Sequence, residues 1–354
     1  MFPIARQAIK HLVQDRRYDY IETGSLISIR ENVKDILIPS EEEIIKMHPL
    51  TFQEFLIAAN EEPLLEYIRE CYKSKKPLED GFHKRASHLI REYMLVGGMP
   101  QCVVAYFENG KDLFAADLVK RQILALYRND ILKISSRYRS KVGSLFEYLP
   151  GYLSTHEKKV VLKKIDKNGQ FDRYDDPLFW LGDSMICNLC YRCTDPNVGL
   201  ALAQDDAAVK CYMADTGLLV SLAFSENELA SMELYQKILK GKLSLNEGML
   251  HENLVAQMTV AAGRRLFFYT HYSEDKHRND IEIDFLLSAG TKTNPKVDPV
   301  EVKSAKNYTK TSLESFKERY GKRIGQAFVV HPKAFSETLG ELRIPTYMWF
   351  AVLE

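Results

Sequence analysis

The chain lacks a loop for cradling a nucleotide. A P-loop needs Gly, four residues, then Gly-Lys followed by Ser or Thr. Gly-Lys occurs at Gly110–Lys111, Gly241–Lys242 and Gly321–Lys322, and at none of them is the hydroxyl residue or the earlier glycine in place. ATP is therefore not expected as a ligand of this chain, and no cofactor-binding residues are assigned. No apolar run comes near the ~20 residues of a membrane helix. The opening MFPIARQAIKHLVQDRR has no basic segment leading into an apolar core, so it is no secretory signal. The chain reads as cytoplasmic, without a membrane partner. An excess of one charge is missing too: 48 Lys and Arg balance 48 Asp and Glu. That excludes a molecule held to nucleic acid by bulk charge and leaves only a local basic patch. With 18 Gly, 13 Pro and 45% hydrophobic residues, the composition excludes collagenous, low-complexity and mainly disordered chains. Without an export signal, the six cysteines read as reduced thiols.

A length of 354 residues suggests two or three domains, at about 100–200 residues each. Ile4, Ala8, Ile9, Leu12 and Val13 fall at helical spacing. Tyr18 to Thr23 then reads as a buried strand ending in the turn Gly24–Ser25. Helix, strand and polar turn make an α/β unit, which belongs in a parallel sheet, yet no further such units follow. From Ser40 to about Ser135 the periodicity is helical, interrupted by the stop Gly97-Gly98-Met99-Pro100.

Lys133 to Lys167 carries nine basic and three acidic residues. Within it SLFEYLPGYL and EKKVVLKKI read as short helices, DPLFWLGDSMICNL begins a third, and VKCYMADTGLLVSLAF adds a strand and turn. Three short helices and a β-ribbon suit a winged helix. Lys158, Lys159, Lys163 and Lys164 are then the candidate phosphate contacts and DNA the candidate partner. The plainer alternative is a solvated charged face. From Leu245 the order becomes α-β-β-β-α-β: EGMLHENLVAQMTVAAG, RRLFFYTHY, DIEIDFLLS, PVEVKSA, SLESFKERYGK and QAFVVHP.

Two motifs carry chemistry. CNLCYRC spaces Cys187, Cys190 and Cys193 by three, with Cys211 beyond. Metal or iron–sulfur ligation would need a close fourth ligand, so the structural reading is preferred. The second is Asp284, Glu301 and Lys303. Glu301 and Lys303 are two apart on a strand and share a face, with Val300 and Val302 turned into the core. Asp284 sits near the end of the preceding strand, opposite in face to Ile283 and Phe285, and a hairpin through SAGTKTNPKVDP brings it alongside. Two carboxylates at one point repel unless a cation sits between them, which suggests Mg²⁺ or Mn²⁺ on Asp284, Glu301 and the Val302 carbonyl. Glu252, on the helix before, is a further carboxylate, and Lys303 is placed to orient a water or stabilise phosphate charge. The alternative is an ordinary ion pair on a strand.

The segments YIETGSLISI, HPLTFQEFL, LVGGMP, KCYMADTGLL, GMLHENLVA and IEIDFLL with PVEVKSAK resemble the prokaryotic AAA-type P-loop ATPases that carry a C-terminal domain of unknown function. The resemblance spans nearly the whole chain, in order. It implies an α/β protein in four parts: an ATPase-core remnant at 1–48, a helical lid or linker at 49–133, a winged-helix-like segment at 134–225 and, at 240–354, an α/β domain similar to PD-(D/E)XK nucleases. The nuclease motif maps onto Asp284, Glu301 and Lys303, with Glu252 as the helix acid. Family members begin with Walker A and Walker B motifs that this sequence does not contain. The expectation is thus an N-terminally truncated member without ATPase activity. A second copy, or a partner chain, would complete its sheet. The function expected is a nucleic-acid-linked, metal-dependent phosphodiesterase or its inactive descendant. The alternatives are a non-catalytic DNA-binding or protein-interaction module and a fragment of a full-length ATPase.

Overall fold

The computed structural model describes residues 12–14, 16–21, 43 and 45–354, apart from 135, 156–159, 161–174, 198, 225–227, 241–246, 276, 291–294, 305–310 and 339. Tyr18 to Ile21, expected to be a buried strand, are exposed and form no strand. Among the described residues no strand pairs with their N–H and C=O groups, and an unpaired extended segment leaves those groups to water.

The helical part begins with a capping box. The Thr51 hydroxyl accepts the Glu54 N–H at 3.3 Å, and the Glu54 carboxylate accepts the Thr51 N–H at 2.7 Å. Helix α1 (Phe52–Ala58) is followed by α2 (Glu62–Lys73), α3 (Asp80–Val96), α4 (Pro100–Glu108), α5 (Leu113–Leu132), α6 (Ser136–Glu147), α7 (Leu149–Leu153) and α8 (Asp175–Asp183). On α3 the buried residues Ala86, Leu89, Ile90 and Tyr93 recur at three and four, the stripe of a helix packed on one side. Of EKKVVLKKI, read as a helix, only Val160 is described; its N–H donates to the Val209 carbonyl at 3.1 Å.

Among the described residues one mixed sheet of eight strands follows. Its strands are β1 (Cys187–Cys193), β2 (Gln204–Met213), β3 (Leu266–Ser273), β4 (Arg278–Gly290), β5 (Pro295–Val302), β6 (Ala327–His331), β7 (Ser336–Thr338) and β8 (Glu341–Pro345), in the order β2-β1-β3-β4-β5-β6-β8-β7. The remaining helices are α9 (Thr216–Ala223), α10 (Glu228–Leu239), α11 (Glu247–Ala261), α12 (Thr311–Tyr320) and α13 (Trp349–Leu353). The run α11-β3-β4-β5-α12-β6 is the order read from the sequence; β7, β8 and α13 extend it. β6, AFVVH, is buried at every residue and pairs in parallel with both β5 and β8, as a strand covered on both faces does.

The β1–β2 ribbon is not a free-standing wing. β1 pairs in parallel with β3, Cys190–Arg192 against Leu266–Phe268, so the ribbon forms one end of the sheet. Cys187, Cys190, Cys211 and Tyr212 are buried, and an apolar ribbon face must be covered by something. The cysteine run is structural here: Cys187 and Cys190 lie in the larger core, Cys193 in the smaller one beneath α12.

The Gly97–Gly98 stop and the Asp215 turn are tied by close packing. Asp215 caps α9, accepting the Leu218 N–H at 2.8 Å, and also accepts the Gly98 N–H at 2.6 Å. Gly97 has φ +81°, and a Cβ there would stand 2.2 Å from Asp215 Oδ1. A Cβ on Gly217 would stand 2.5 Å from the Gly97 nitrogen. The Gly-Gly stop is therefore also a docking surface for the Asp215 turn.

Candidate active site

The β4–β5 hairpin positions the acids. From Tyr269 to Phe267 β3 passes two residues, while β4 passes three, from Ile283 to Leu286. The extra residue falls at Asp284–Phe285, a β-bulge in mid-strand rather than the strand end expected from the sequence. Strict alternation fails there. Ile283 and Leu286 lie in the smaller core, but Phe285 lies in the larger, so Phe285 does not share the face of Ile283. Bulges re-aim side chains in this way.

The β4–β5 ladder reaches Phe285 opposite Val300. Beyond that pair the Asp284 carboxylate replaces a backbone acceptor: its Oδ2 accepts the Val302 N–H at 2.8 Å. A strand residue's N–H and C=O point to the same side, so the Val302 carbonyl faces β4 as well. Val300 and Val302 are in the larger core, as expected, and Glu301 alternates with them. The Lys303 ammonium pairs with Glu301 Oε2 at 2.7 Å. The other oxygen, Glu301 Oε1, is buried without a hydrogen-bond partner. Burial pushes the Glu301 carboxyl up to about 7; Lys303 opposes the rise and the Asp284 charge adds to it. Burial opposes the charge on Lys303, but the Glu301 and Asp284 carboxylates outweigh it and raise its pKa.

Glu252, on α11, is engaged elsewhere. Its Oε1 accepts a short hydrogen bond from the Tyr212 hydroxyl and lies 3.5 Å from the Lys210 ammonium. Lys210 extends from β2 into the acids: Glu282 Oε1 is 3.5 Å away and Asp284 Oδ1 3.9 Å. Lys210 is 0% exposed, and its ammonium lies 5.0 Å from the Phe268 ring centre. Burial disfavours its charge, but Glu252, Asp284 and Glu282 together overcome this and raise its pKa. Among the described residues, no three His, Cys, Asp or Glu side chains gather as a metal cluster; the acids gather around an ammonium instead.

The sequence singles out Asp284, Glu301, Lys303 and Glu252 but not Lys210 and Glu282, which the structure places among them. Glu282 carried a signal, since in IEIDF it is two residues from Asp284. Lys210 offered only its isolation in the apolar run VKCYM, a charge where charges are rarely buried unpaired. Lys158, Lys159, Lys163 and Lys164 lie outside the described residues.

Residues 87–229 match the family model of one domain of unknown function, DUF8612, and residues 247–349 match that of another, DUF4143. No curated protein and no solved structure matches the chain. Among the described residues no helix is long and apolar enough to cross a membrane.

Proposed function

We propose that α11, β3, β4 and β5 form a nuclease-like site for metal-dependent phosphodiester chemistry on nucleic acid, in a chain akin to the AAA-type ATPases. The observation that carries this is the buried oxygen of Glu301 that has no hydrogen-bond partner, on a carboxylate whose charge is opposed by that of Asp284. Glu252, Glu282 and Asp284 lie around Lys210, and Glu301 pairs with Lys303. A divalent ion beside Glu301 would offset the repulsion between these carboxylates. The donors to such an ion would be Asp284, Glu301 and the Val302 carbonyl, and Mg²⁺ or Mn²⁺ would keep most of its waters there. When bound, it would supply Lewis-acid charge and a more acidic water. Asp284, fixed by the Val302 N–H, holds its carboxylate against the β5 backbone. Lys303, 28% exposed, offers its remaining N–H donors to a phosphate oxygen or to water.

The test is Mn²⁺ calorimetry together with Mg²⁺-dependent plasmid nicking. Wild type should bind and nick. Glu301→Gln should lose both, and Lys303→Ala should bind the ion but nick slowly. A wild-type chain that binds neither ion, or nicking that survives Asp284→Ala, overturns the proposal. A second reading, a non-catalytic descendant that serves as a DNA-binding or protein-interaction module, is favoured by Lys210, which neutralises part of the cluster from within. Under it, wild type would bind nucleic acid or a protein partner without cleaving.

A further inference from the structure

We propose that Lys210 is the resident cation of the acid cluster, its ammonium taking the place between Glu252, Glu282 and Asp284 that a second divalent ion would otherwise fill. The inference deepens the site proposed above and rests on that reading only for the divalent ion beside Glu301.

The geometry sets Lys210 apart from a surface ion pair. Three carboxylates surround one ammonium at 3.5–3.9 Å, in a place closed to solvent. These distances are long for direct N–H···O bonds, so the ammonium is shared among the acids rather than committed to one. The face of Phe268 closes a further side. A buried charge is tolerated only when it is paired, and removing one partner leaves the others uncompensated. Lys210 and the three acids therefore stand or fall together. Lys210 belongs to β2, within the region matched by DUF8612, and the acids lie within the region matched by DUF4143. The cluster is thus composite: the C-terminal region contributes the negative charges and the ribbon of the preceding region the positive one.

The experiment counts Mn²⁺ sites on the full chain by calorimetry and follows thermal unfolding with and without Mn²⁺. Lys210→Met keeps the length of the side chain and removes the charge. It should unfold at lower temperature than wild type in chelator, regain stability with Mn²⁺, and bind one Mn²⁺ more than wild type. Adding Glu282→Gln to it should weaken that extra site by about tenfold or more. If the variant does not fold in chelator, refolding it in Mn²⁺ decides: recovery supports the inference and no recovery overturns it. A folded Lys210→Met chain with an unchanged Mn²⁺ count overturns it too. So does Glu282→Gln alone abolishing a wild-type Mn²⁺ site, since Glu282 would then serve a metal and not the lysine. Wild type that binds no Mn²⁺ would defeat the phosphodiesterase reading, yet a rise from zero sites to one in Lys210→Met would still uphold this inference.

Discussion

Glu301→Gln is expected to stabilise the protein at alkaline pH and to do little at acid pH. The Glu301 carboxyl is raised from 4.5 to about 7, chiefly by burial. Below pH 4.5 both folded and unfolded states hold the proton, and the group costs nothing. As pH rises toward 7 the unfolded chain releases its proton while the folded chain keeps it, so stability falls through that window and is level above it. At about 1.36 kcal/mol per pH unit, the full penalty is ~3 kcal/mol. Glutamine has nearly the same shape, and its carbonyl still accepts from Lys303. It carries no charge, and the attraction of Lys303 for the charged carboxylate is already contained in the net rise of the pKa. The gain above pH 7 should therefore be about 3 kcal/mol. Urea unfolding of both chains from pH 4.5 to 8.5 measures it as the difference between them. Asp298, raised to about 6 by burial, and His331, lowered to about 4 by burial and nearby cations, also titrate in this range. Both are present in the two chains and cancel in the difference. A difference that stays level with pH would refute the claim that burial raises the Glu301 carboxyl despite its pairing with Lys303. Mg²⁺ at pH 8 supplies the converse check: it should stabilise wild type and leave Glu301→Gln unchanged.

Three further changes probe the framework. In Gly217→Ala the added Cβ would lie 2.5–2.6 Å from the Gly97 backbone, which cannot yield as a side chain would; a loss of about 1–3 kcal/mol or more should appear as a lower melting temperature, and an unchanged one would mean these loops do not touch. Asn253→Ala removes the acceptor of the buried Met213 N–H and the donor to the Met213 carbonyl; it should cost about 1–3 kcal/mol in urea unfolding, and a neutral result would show that water takes over both bonds. Thr51→Ala dissolves the capping box and should cost about 1 kcal/mol, read as faster amide exchange in the first turn of α1, whereas unchanged exchange would show the cap to be idle.

What could be read from the sequence was what repeats locally. The helices from α1 to α5 and the run from α11 to β6 declare themselves by spacing alone, and so does the sharing of a face by Glu301 and Lys303, which depends only on strand pleat. What escaped depends on partners far along the chain. No local pattern says whether a β-ribbon stands alone or joins a sheet, because that is decided by what covers its apolar face. The bulge at Asp284 escaped for a similar reason: one extra residue in β4 is defined only against β3, and IEIDF alternates well enough to hide it. Tyr18 to Ile21 failed in the opposite direction, having the residues of a strand and, among the described residues, no strand beside them.

Several of the segments that carried the resemblance lie tens to hundreds of residues apart, yet polar residues in or beside them answer one another in a single buried network. The Tyr93 hydroxyl donates to the Leu50 carbonyl at 2.6 Å and accepts from the Gln257 amide at 2.9 Å. The Gln257 carbonyl oxygen accepts the Thr216 N–H at 2.8 Å, and Asn253 holds both the N–H and the carbonyl of Met213. Leu50, Tyr93, Met213, Thr216, Asn253 and Gln257 thus join HPLTFQEFL, the helix before LVGGMP, KCYMADTGLL and α11. In a low-dielectric interior a polar group is tolerable only if its partner is present, so each of these segments is constrained by the others. The same β2-to-α11 contact that places Met213 on Asn253 places Lys210 and Tyr212 on Glu252, one residue earlier on the helix. The helix that frames the acids is therefore held by the ribbon that supplies their cation, and loosening Asn253 should disturb the charge cluster as well as the fold.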